Sequence, residues 1–78
     1  MKYHRKQHKN FLKLLKEARL EAGLSQTEVA DSIGRCQSFV SRIESGELRL
    51  KLEDFLKLYQ LYGKPATHFF RAFTEETE

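Results

Sequence analysis

Apolar residues recur at helical spacing from Phe11 onward. Leu12, Leu15, Ala18, Arg19 and Ala22 fall at steps of three, three, one and three, which places them on one face of a helix. Asn10 stands where a cap would start that helix, and Gly23 stands where one would end it. Ser25-Gln26-Thr27-Glu28 reads as a capping box: the serine hydroxyl accepts from the third helical N–H and the glutamate reaches back to the serine N–H. It predicts a short second helix with Val29, Ala30 and Ile33 inward and Gly34 as its stop. Cys36 occupies the next cap position, ahead of a third helix over 37–45 with Val40 and Ile43 inward, Phe39 beside them and Gly46 at its end. Leu52, Phe55, Leu56, Leu58, Tyr59 and Tyr62 outline a fourth helix, with Glu53 and Asp54 in the first turn, where the helix dipole favours negative charge. Gly63 stops it, and Pro65 suits the first position of a fifth helix through Phe69, Phe70 and Phe73. The expected fold is all-α, a compact five-helix bundle.

Length and composition narrow this further. Seventy-eight residues allow one small domain, with no expectation of a second for ligand sensing or self-cleavage. A chain this short buries a modest share of its surface, so association with a second copy becomes relevant. No apolar run exceeds two residues, so neither a membrane span nor a secretory leader is expected. A single cysteine fits a reducing compartment, and we expect the cytoplasm. Charge is uneven: residues 1–51 carry eleven Lys and Arg against six acids, whereas residues 52–78 carry three against five. A basic front suggests a polyanionic partner. We expect three parts: a basic stretch over 1–10 that reads as an arm or a frayed helix start, a folded domain over 11–73 and an acidic tail over 74–78.

The informative stretch is 26–45. Two short helices joined by a glycine turn need small and branched residues to fix their crossing, and Ala30, Gly34 and Val40 suit that role. The outward face of the third helix offers Gln37, Ser38, Ser41 and Arg42. These hydrogen-bonding groups suit base edges and phosphates in a major groove.

The stretch LSQTEVADSIGRCQSFVSRIESG resembles the helix-turn-helix of the lambdoid phage repressor and Cro (XRE-type) family, and the resemblance runs from about Leu12 to Phe70. It implies a sequence-specific double-stranded DNA-binding regulator, a repressor or controller, bound as a homodimer to a palindromic operator. By that resemblance Gln26 contacts a phosphate and supports Gln37, and Gln37 reads adenine. Ser38, Ser41 and Arg42 take further groove or phosphate positions, and Thr27, Arg35, Arg49 and Lys51 complete the expected DNA-binding set. Arg19 and Glu44 match a salt bridge that pins the first helix to the third. Dimers in the family meet near the end of the fourth helix and around the fifth, which points to Tyr62, Phe70 and Phe73; the plainer reading is that these aromatics cap the core of the single chain. The sequence departs from the family at Arg35, where a hydrophobe is usual and which we expect to be exposed and aimed at a phosphate. Cys36 replaces a Ser/Thr cap, Lys51 replaces a Ser/Asn-type cap, and Phe39 is unusually bulky, suited either to a thymine methyl or to packing.

Other features weigh less. The basic arm would follow the duplex or serve as a solubilising tail. His4 and His8 lack a third ligand nearby, so no metal is expected. A redox role for Cys36 competes with the plainer reading of a buried or half-buried neutral thiol. We expect no enzyme and no cofactor, because no nucleophile–base pair, carboxylate pair or phosphate-cradling loop is visible. The alternative function is an antitoxin-type module that binds a partner protein through its aromatic C-terminal region and autoregulates its operon.

Overall fold

A computed structural model describes residues 5–74 as five α-helices with no strand among them: α1 (Arg5–Glu21), α2 (Gln26–Ile33), α3 (Gln37–Ser45), α4 (Leu52–Tyr62) and α5 (Ala66–Thr74). Helix α5 packs along α1, while α2 and α3 form a corner seated on α1 and α4. The buried core draws Leu12, Leu15 and Ala18 from α1, Val29, Ala30 and Ile33 from α2, and Val40 and Ile43 from α3. Phe55, Leu58 and Tyr62 of α4 and Phe69 of α5 complete it. Phe55 lies at the centre of an aromatic cluster, with Phe11, Tyr59, Phe69 and Phe70 all within 5.7 Å of its ring. The mixed tilts and the edge-on contact with Phe69 suit ring quadrupoles.

The corner is fixed locally. Ser25 Oγ accepts from the Glu28 N–H at 3.0 Å and the Glu28 carboxylate accepts from the Ser25 N–H at 2.8 Å, which closes the capping box. At the far end of α2, Gly34 takes φ +74°, and the Arg35 N–H turns back to the Ala30 carbonyl at 2.9 Å. A Cβ built on Gly34 would meet nothing within 4 Å, so glycine is needed there for its backbone alone.

Four expectations are corrected. Helix α1 already includes Arg5, so Asn10 lies inside it rather than capping it. The reason is tertiary: α5 packs against this stretch, and Gln7 Nε2 donates to the Phe73 carbonyl at 3.3 Å. Ala22 is exposed, beyond the end of the buried stripe. The inward face of α4 is narrower than its apolar residues suggest, since Leu52 and Leu56 are exposed and Asp54 is buried in their stead. Pro65 precedes α5, its carbonyl accepting from the His68 N–H at 3.0 Å. His68 packs edge-on against Phe69, ring centres 5.1 Å apart. His4 and the tail over 75–78 lie outside the described residues. Among the described residues no helix is long and apolar enough to cross a membrane.

Candidate nucleic-acid interface

With Val40 and Ile43 turned into the core, α3 presents its opposite side outward. Gln37, Ser38 and Arg42 are exposed on it, and Ser41 is half-buried. Thr27 is exposed in the first turn of α2. Arg49 and Lys51 are exposed on the connection between α3 and α4, where Lys51 makes no side-chain cap. Arg42 Nε stands 3.4 Å from Glu47, an exposed pair that water and salt weaken and that a phosphate can replace.

Behind this surface runs a continuous polar chain. Arg19, buried at 6% exposure, donates from Nε to Glu44 Oε2 at 2.7 Å and from its terminal nitrogens to Glu44 Oε1 and the Leu24 carbonyl. Glu44 Oε1 also accepts from Gln26 Nε2 at 3.0 Å, and Gln26 Oε1 accepts from Gln37 Nε2 at 2.7 Å. The exposed start of α3 is therefore tied, through two glutamines and a carboxylate, to an arginine in the last turn of α1. Sequence reasoning paired Arg19 with Glu44 and Gln26 with Gln37. It missed the Gln26–Glu44 bond that joins the two pairs, which spans 18 residues and leaves no local signature.

Arg35 is exposed, as expected, and it also pairs with a carboxylate of α4. Its guanidinium lies 3.3 Å from both carboxylate oxygens of Asp54 and 4.4 Å above the Phe39 ring. Asp54 is 2% exposed, and a carboxylate so buried requires a cation. Phe39 accordingly packs, half-buried, under that arginine. Cys36 is exposed rather than buried; the Ser38 hydroxyl 3.2 Å away, assisted by the Phe39 N–H, holds its thiol below the usual range.

The three aromatic residues assigned to a subunit contact separate. Tyr62 is 5% exposed and belongs to the core, where burial, reinforced by the Glu44 carboxylate, pushes its phenol well above the ordinary range. It therefore has no surface to offer a second subunit. Phe70 and Phe73 are 43% and 44% exposed. They border an open groove shared with Phe11, Leu50, Leu52 and Phe55.

Against known protein families, residues 11–68 match the family model described as a helix-turn-helix domain. No curated protein matches the chain.

Proposed function

The chain belongs to the helix-turn-helix domain family, which is a DNA-binding one, and from that premise we propose that it is a transcriptional regulator of the lambdoid repressor and Cro kind, acting in the cytoplasm. It binds double-stranded DNA in a sequence-specific way and lays α3 in the major groove. The observation that carries the reading is the outward polar edge of α3 at Gln37 and Ser38, held on a corner whose other side is the buried Val40 and Ile43. Gln37 meets a base edge, Ser38 and Ser41 line the groove, and Gln26, Thr27, Arg42, Arg49 and Lys51 face phosphates. Arg35 supports the corner through Asp54. The reading includes no catalysis and no cofactor.

We take the operator to be palindromic and the bound form to be a homodimer, with two copies of α3 about 34 Å apart. Phe70 and Phe73 are the residues available for the contact between copies, Tyr62 being enclosed. The same exposed aromatics favour the second reading, an antitoxin-type module whose groove receives a different protein.

The test is selection of random duplexes followed by binding at two salt concentrations. Gln37→Ala is expected to weaken binding to the selected duplex by about 1–3 kcal/mol while leaving binding to unrelated DNA nearly unchanged. Failure to select any motif would overturn the reading.

A further inference from the structure

Glu44 lies between Arg19 and Gln26 in the polar chain, two links from Gln37, yet its chemistry constrains the exposed end. A carboxylate accepts hydrogen bonds and donates none. Gln26 must therefore turn its amide nitrogen toward Glu44, where the bond is 3.0 Å. That orientation commits Gln26 Oε1 to face Gln37, and only the Gln37 amide nitrogen can satisfy it, at 2.7 Å. One N–H of Gln37 is thus occupied. What remains for an outside partner is one N–H and one carbonyl oxygen.

We propose that Glu44 is a specificity-determining positioning residue: its negative charge, relayed by Gln26, sets the polarity of the Gln37 amide and thereby selects adenine over guanine. The proposal rests on the reading that Gln37 meets a base edge. Adenine presents an acceptor (N7) beside a donor (N6–H) in the major groove, which one N–H and one oxygen complement. Guanine presents two adjacent acceptors, N7 and O6, and calls for two donors. If Gln26 were reversed, its nitrogen would donate to Gln37 Oε1 and leave both Gln37 N–H groups outward, the pattern that suits guanine. The Arg19 fork holds Glu44 in place, with both side chains only 7% exposed, so the polarity is built in before DNA arrives.

Two variants break the relay at different links. Glu44→Gln substitutes a group that can present either nitrogen or oxygen to Gln26. Gln26→Met removes the middle link and leaves the Arg19–Glu44 pair intact, so folding is retained. Phe69→Leu serves as a control that weakens the core at α5, which contributes nothing to the relay. Binding is measured to duplexes carrying adenine or guanine at the base pair whose preference Gln37→Ala abolishes, with thermal melting of each variant in parallel. The expected result is a preference for adenine in the parent chain, reduced roughly tenfold in both relay variants and retained in Phe69→Leu. A merely structural role for Glu44 would weaken binding to both duplexes by the same factor, and that outcome overturns the proposal. A Gln37-sensitive position that is not adenine overturns it as well. If no base position responds to Gln37→Ala, the underlying reading of α3 fails first, and the two failures are distinguishable.

Discussion

At the scale of single residues, the buried ionisable groups decide most. Arg19 donates three hydrogen bonds, two of them to Glu44 and one to the Leu24 carbonyl. Arg19→Ala would leave the Glu44 carboxylate enclosed with no cation and is expected to cost about 3–5 kcal/mol, readable by urea unfolding. That is a large part of the stability of a small domain. Tyr62 supplies a pH dependence. Below about pH 10 its phenol is neutral both folded and unfolded, and stability does not depend on it. As pH rises past that value the unfolded chain releases the proton while the folded core retains it, since the folded phenol is shifted upward. Stability then falls by about 1.4 kcal/mol per pH unit, and Tyr62→Phe is expected to flatten that part of the alkaline unfolding curve. These residues also mark how far the sequence can be read. Arg19 stands out as a charged residue inside an apolar stripe. Asp54 gives no such warning, because an acid in the first turn of a helix already has a surface explanation in the dipole; its burial depends on Arg35, 19 residues away.

The elements divide along the same line. Helices α2 and α3 are legible to the residue because their ends are written in local chemistry: a reciprocal cap at Ser25 and Glu28, and left-handed glycines at Gly34 and Gly46. Ser25→Ala is expected to lower stability by about 1 kcal/mol, measured by thermal melting, through loss of one cap of α2. The start of α1 carries no equivalent mark. Lys6, Gln7, His8 and Lys9 read equally as an arm or a frayed helix start until α5 is laid beside them, and periodicity within one segment cannot report a neighbour that arrives at the other end of the chain. The face of α4 was misjudged for a related reason. Its apolar residues surround more than one side, and packing against α1 and α2 selects which side is covered, leaving Leu52 and Leu56 outside.

Across the molecule, assembly comes down to the exposed pair Phe70 and Phe73, which the single chain covers only in part. With homodimerisation through α5, Phe73→Asp is expected to yield monomers in sedimentation at tens of micromolar and to abolish tight binding to a two-half-site duplex while sparing weak binding to a single half-site. A parent chain that sediments as a monomer with and without DNA would instead favour the partner-protein reading. The polar chain from Arg19 to Gln37 links α1 to the far edge of α3, so the segment commonly regarded as a self-sufficient unit includes a residue from outside it. Residues 25–46 grafted onto another scaffold would leave Arg19 behind and arrive with a stranded anion. The corner is not a portable cassette: moving α2 and α3 intact to another scaffold would require transplanting the arginine of the first helix along with them.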